Sequence, residues 1–168
     1  KGSHKEIIEK FMNHEADCLL GTQMIAKGLD FPLVTLVVVI QADTILNLPD
    51  FRANEKTYDL LSQVSGRAGR SDLKGKVIIQ TFNPDNYAIK LSKTHNYEEF
   101  YNQEMVIRKK LIYPPFTFIS LVKVGGRDFN YTIKEANKIG EYLRRKVDKE
   151  IVLGPSVASL SKINNIYY

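Results

Sequence analysis

The sequence predicts an α/β fold in which an open parallel sheet is followed by a small α+β unit. Three observations predict it. The run Leu33–Ile40 is apolar and rich in β-branched residues, the pattern of a central parallel strand covered on both faces. A second run of that kind, Lys76–Phe82, comes after a helical stripe, and the order helix, strand, loop, strand, helix, strand is that of an open α/β sheet. After Phe82 the texture changes to long polar helices and short strands.

In order along the chain, residues 5–14 suit a helix, with Ile7, Ile8, Phe11 and Met12 striping one side. Residues 17–20 are a short strand candidate, and Gly21–Gly28 is a loop at the carboxyl end of that strand, where open sheets place ligands. Residues 41–56 read mostly as loop. Residues 57–65 form a helix with Tyr58, Leu61 and Val64 on one side, and Gly66–Asp72 a loop. Asn83-Pro84-Asp85 is a turn, and residues 86–112 are helical until Tyr113-Pro114-Pro115-Phe116 stops them. Residues 117–124 form a strand, Gly125-Gly126 a turn, and Ile133, Ala136, Ile139, Gly140, Leu143 and Val147 stripe an amphipathic helix. Ile151–Leu153 and the region near Ile166 supply short strands. The expected organisation is residues 1–83, a helical connector over 84–112, and an α+β domain over 113–168 that is small for independent stability.

Composition narrows the function classes. The chain has 168 residues, 43% of them hydrophobic, and a formal net charge of +5. Residues 1–83 balance ten Lys and Arg against ten Asp and Glu, while residues 84–168 carry fourteen against nine. The excess in the second half suits a phosphate backbone or an acidic partner as well as a solvated surface. One cysteine, Cys18, excludes an internal disulfide, and reads as a buried small hydrophobe. His4, His14 and His95 lack metal-ligand spacing, so no metal site is expected in the chain itself. No apolar stretch reaches the length of a membrane span and no signal peptide is visible, which predicts a cytoplasmic protein without a membrane partner. The missing initiator Met and the strand-like end Asn165-Ile166-Tyr167-Tyr168 predict a piece of a longer chain.

Two stretches carry chemistry: Gly21-Thr22-Gln23-Met24-Ile25-Ala26-Lys27-Gly28-Leu29-Asp30-Phe31-Pro32 and Gln63-Val64-Ser65-Gly66-Arg67-Ala68-Gly69-Arg70. The second matches the Gln-x-x-Gly-Arg-x-x-Arg signature of superfamily 2 helicases. The first is similar to their preceding signature in the wording of the bacterial replication-restart helicases, the primosomal protein N′ family. Ala42–Ala53 and Tyr113-Pro114-Pro115-Phe116 resemble that family too. The resemblance covers nearly the whole chain and is closest from Gly21 to Pro84. A recombination or repair translocase of the same superfamily fits these stretches less well.

The resemblance implies that residues 1–83 are part of a RecA-like second helicase lobe. Two arginines at this spacing have a physical use there. Phosphoryl transfer from ATP spreads negative charge over oxygens, and a guanidinium brought in by a second lobe stabilises it only when the cleft closes. By resemblance Arg70 is the finger, Arg67 a second γ-phosphate contact, and Gln63 a reader of the nucleotide state. On composition alone, Arg67 and Arg70 would be surface ion-pair partners. Gly28 and Asp30 would lie towards the nucleotide, although Asp30 also suits a turn or helix cap. Thr22 and Gln23 would meet a single-strand phosphate. Lys27 suits either phosphate group or solvent alone.

Absences matter as well. No Gly-x-x-x-x-Gly-Lys-[Ser/Thr] occurs and no Asp-Glu pair follows an apolar strand. The resemblance assigns ATP and Mg2+ to a first lobe that is not in this chain, and Zn2+ to a cysteine-rich insertion just upstream of it. The chain alone is therefore expected to be inactive as an ATPase. The family's activity is ATP-dependent 3′ to 5′ unwinding that restarts stalled forks and begins primosome assembly. Its C-terminal domain is expected to contact forked or single-stranded DNA, the single-stranded-DNA-binding protein and other primosome proteins. Here Arg144, Arg145 and Lys146 are the candidate phosphate contacts, or else the polar face of a solvated helix. Arg108, Lys109 and Lys110 are explained by charge at a helix C-terminus. The reading of a different class is a non-catalytic module that binds forked DNA and partner proteins.

Overall fold

The computed structural model describes residues 3–22, 31–66, 75–158 and 160–168. It divides into two units, Lys1–Phe118 and Ile119–Tyr168.

In the first unit, helix α1 (Ser3–Met12) carries Phe11 edge-on against Phe31, ring centroids 5.2 Å apart. Strands β1 (Leu36–Val39) and β2 (Lys76–Ile79) pair in parallel, in register from Leu36 against Lys76 to Val39 against Ile79. The crossover between them includes helices α2 (Asp43–Leu46) and α3 (Ala53–Ser65). Helices α4 (Tyr87–Lys93) and α5 (Tyr97–Lys110) follow β2. The expected parallel sheet is thus present in two strands. The strand candidate at residues 17–20 forms no strand, and without a sheet to cover it Cys18, expected to be buried, is exposed.

β1 is shorter than the run Leu33–Ile40, and it is covered on one face. Val39 and Ile79 pack on a core of Ala42, Leu61 and Ile89, while Leu36 and Val38 remain 51% and 49% exposed. A parallel strand hides both faces only when layers lie on both sides of its sheet.

α3 starts four residues before its expected position. The reason is Asp50, whose carboxylate accepts the Arg52 amide at 2.9 Å and whose carbonyl accepts the Ala53 amide at 2.9 Å. These bonds satisfy donors that a helix start leaves open. Residues 86–112, expected as one helix, are two. Asn86 caps α4 by accepting the Ala88 amide at 2.8 Å. His95 has a left-handed φ of 52°. Asn96 then caps α5, accepting the Glu99 amide at 3.1 Å and donating to the Glu99 carboxylate at 3.0 Å. These helices pack on α3 rather than merely connecting: Tyr58, Ala88 and Phe100 form a second buried cluster. The rings of Tyr58 and Phe100 stack 4.2 Å apart.

The second unit holds helix α6 (Phe129–Lys146), a 3-10 turn at Lys149–Ile151, and the antiparallel pair β3 (Lys162–Ile163) and β4 (Ile166–Tyr167). Asp128 caps α6 by accepting the Tyr131 amide at 2.6 Å. The β3–β4 turn uses Asn164 and Asn165 at φ 49° and 63°, the left-handed pair that a two-residue hairpin demands. Gly126 joins this hairpin, exchanging two backbone bonds with Tyr167 at 3.0 and 2.8 Å. The expected strand at 117–124 forms no ladder among the described residues, and Ile151–Leu153 is the end of a 3-10 turn followed by coil.

Candidate functional site

The carboxyl ends of β1 and β2 form a rim, and a buried acid ties it together. Asp43, at the start of α2, accepts the Phe82 amide at 2.9 Å on one oxygen. Its other oxygen accepts the Thr81 hydroxyl at 3.0 Å and the Asn83 side-chain amide at 2.9 Å. The Phe82 N–H holds the Asp43 carboxyl below its ordinary range; burial opposes this, and the Asn83 and Thr81 bonds reinforce it. The Ala42 amide also donates to the Gln80 carbonyl at 3.1 Å. Both loops leaving the sheet are therefore fixed to each other. Sequence reading placed Asp43 in a loop and missed it, because its partners lie about 40 residues away in the chain. The available signal was an Asp just after one apolar strand and a Thr-x-Asn just after the next.

α3 carries the late signature. Thr57, Tyr58, Leu61 and Val64 are buried, and Gln63 lies exposed in its last turn. The helix closes at Gly66, whose amide donates to the Ser62 carbonyl at 3.2 Å. Thr22 is exposed in an irregular segment. Gln23, Lys27, Gly28, Asp30, Arg67 and Arg70 lie outside the described residues.

The basic end of α6 divides. The Arg144 guanidinium donates to the Gly154 carbonyl. It lies over Gly140, where an added Cβ would meet Pro155 at 3.1 Å and Arg144 at 3.4 Å. Arg144 thus closes its own unit, whereas Arg145 and Lys146 are exposed. Sequence reading missed a longer feature. Tyr131, Lys134, Lys138, Tyr142 and Arg145 recur at spacings of three and four residues along α6, so they share one helix face. All five are exposed, the tyrosines by 63% and 60%. Glu135 bonds Lys138 at 2.6 Å and raises its pKa. Cations interleaved with exposed rings can meet phosphates and bases together.

Among the described residues no three His, Cys, Asp or Glu side chains are grouped to hold a metal ion. No described helix is long and apolar enough to cross a membrane.

Residues 1–72 match the model of the helicase conserved C-terminal domain. Replication restart protein PriA of Bacillus subtilis is 49% identical over 168 residues, 99% of this chain and 21% of that protein. The Chlamydia muridarum protein of the same name is 44% identical over 153 residues, 91% of this chain and 20% of its own length. That of Synechocystis is 41% identical over 168 residues, 99% and 20%. The chain belongs to the replication-restart protein family. It spans about a fifth of the length of these relatives. The helicase-domain match spans both stretches singled out in the sequence, Gly21–Pro32 and Gln63–Arg70.

Proposed function

We propose that the chain supplies the second half of the ATP site, and a nucleic-acid contact, to an ATP-dependent 3′ to 5′ DNA helicase that restarts stalled replication forks and begins primosome assembly. The match of residues 1–72 to the helicase conserved C-terminal domain carries this reading. Supporting it, α3 hides its apolar side in the core and leaves Gln63 at its exposed end, just ahead of Arg67 and Arg70 in sequence.

In this reading Arg70 meets the γ-phosphate as the finger, Arg67 makes a second phosphate contact, and Gln63 reports the nucleotide state. Gly28 and Asp30 border the nucleotide. Thr22, Gln23 and Lys27 touch the single strand. ATP and Mg2+ are held mainly by a first lobe outside this chain, whose own sequence has no Gly-x-x-x-x-Gly-Lys-[Ser/Thr] run to cradle the phosphates. Zn2+ likewise belongs to another part of the parent protein. On α6, the face from Tyr131 to Arg145 together with Lys146 meets forked or single-stranded DNA. The single-stranded-DNA-binding protein and other primosome proteins are the protein partners, and the compartment is the cytoplasm.

The test is Arg70→Ala in the full-length parent protein. DNA-stimulated ATP turnover is expected to fall by about a thousandfold or more, with forked-DNA binding retained. Unchanged turnover overturns the finger assignment. It would select instead a non-catalytic module that binds forked DNA and partner proteins, a reading that the exposed α6 face by itself favours.

A further inference from the structure

Arg108 does not behave as charge at a helix end. Its neighbours Lys109 and Lys110 are exposed, but the Arg108 side chain is only 12% exposed. Its Nε donates to the buried Glu104 at 2.8 Å, one Nη to Glu55 at 2.6 Å, and the other towards the Pro114 carbonyl at 3.4 Å. The guanidinium also lies 5.2 Å from the centre of the Phe51 ring. Phe51 in turn stacks on Tyr113 at 5.4 Å. The Tyr87 hydroxyl donates to the second oxygen of Glu104. Burial first, and then the Glu104 carboxylate, push the Tyr87 hydroxyl pKa well up, so it remains a donor.

One planar side chain on α5 therefore joins α3 through Glu55, α4 through Glu104 and Tyr87, and the chain leaving α5 through Pro114. Net stability is a poor reason for such an arrangement. A buried ion pair roughly breaks even against well-packed apolar groups of the same volume, and stacked Tyr58 and Phe100 already pack α3 on α5. A guanidinium fork adds direction. It fixes the rotation and the axial position of α3 where stacked rings tolerate sliding. Glu55 sits in the first turn of that helix and Gln63 in its last, about 12 Å further along at 1.5 Å per residue.

We propose that Arg108 is a positioning residue for nucleotide hydrolysis, acting through Glu55 to aim the helix that presents Gln63 and leads into Arg67 and Arg70. This rests on the function proposed above. A lysine keeps the charge but cannot reach three acceptors on different sides with fixed geometry.

The experiment compares Arg108→Lys, Glu55→Gln and Arg70→Ala in the full-length parent, reading DNA-stimulated ATP turnover beside thermal midpoint. Arg108→Lys is expected to lower kcat by about tenfold to a hundredfold, the scale of a small misplacement of reacting groups. KM for ATP and the thermal midpoint should stay near wild type. Glu55→Gln, which leaves the Arg108–Glu104 pair intact, should lower kcat in the same sense, and the double variant should fall no further than Arg108→Lys alone. If Arg108→Lys does not fold, Glu55→Gln decides with the same kcat and KM readings. Wild-type kcat in both variants, with Arg70→Ala inactive, overturns the positioning role alone. A kcat loss that follows the thermal midpoint overturns it too. Full turnover in Arg70→Ala sinks the functional reading and this inference with it.

Discussion

The helices α3, α4 and α5 and the unit Ile119–Tyr168 solve the burial problem differently. Among the described residues, every buried apolar side chain belongs to the first unit, including Leu61, Tyr58, Ile89 and Phe100. The second unit buries Thr132 and Gly140 of α6 and leaves Leu121, Leu153 and Leu160 well exposed. Hydrophobic burial scales with the area removed from water, so the helical layer of the first unit can hold a fixed shape from its own contacts. The second unit relies on caps, a tight turn and close backbone approach. The contrast shows which part of the molecule is suited to carry a geometrically demanding task such as phosphate contact, and which to carry an adaptable one.

The largest expected effect that sharpens this contrast is in the core of the first unit. Leu61, 1% exposed, changed to Ala should cost about 3 kcal/mol, lost transfer energy plus a cavity. Leu153→Ala, at a position 91% exposed, should stay within about 0.5 kcal/mol. Urea denaturation followed by circular dichroism reads both, and equal losses would break the contrast. A smaller effect belongs to the cap of α6. Asp128→Ala should destabilise that helix by about 1 kcal/mol, seen as faster hydrogen exchange confined to α6. Exchange that quickens equally in α3 would mean that the two units do not open separately.

The smallest effect is confined to acid. The Phe82 N–H chiefly holds the Asp43 carboxyl below its ordinary range, and Lys56 and then Arg52 hold the Asp50 carboxyl well below its own. Both groups have a folded pKa below the unfolded one. Their stabilisation is therefore complete above about pH 4 and is lost as the pH falls through the folded values. Melting followed by circular dichroism should show the midpoint falling in that acid window. Asp43→Asn should flatten part of the slope, and an unchanged acid limb would remove Asp43 from the account.

Much of the first unit was legible because its signals are local. Val37 and Val39 sit in a β-branched run, and Tyr58, Leu61 and Val64 share a helical face, so periodicity alone placed β1 and α3. The break between α4 and α5 depends on the left-handed backbone of His95 and the cap from Asn96, which compete with a continuous polar helical pattern. The contacts of Asp43 were not legible, and Arg108 was misread as mere charge at a helix end. Their partners are Asn83 and Glu55, far away in sequence, and no local pattern encodes which of several charged residues turns inward. In α6 the adjacent triplet Arg144-Arg145-Lys146 drew notice as a cluster, but a helix sends consecutive residues in different directions. Arg144 is spent on Gly154, while the face shared with Tyr131 and Tyr142 needs spacings of three and four. The signature arginines were legible as a motif and in no other way.

The two-stranded ribbon of the first unit has a practical consequence. Leu36, Val38 and Ile78 present a bare greasy side, and β1 and β2 find no further strand to pair with among the described residues. Unsatisfied backbone rows beside naked aliphatic groups are the raw material of self-association. Handled by itself at high concentration, the chain is set to clump through this patch, and mild detergent or a shielding charge at Val38 is the rational way to keep it dispersed.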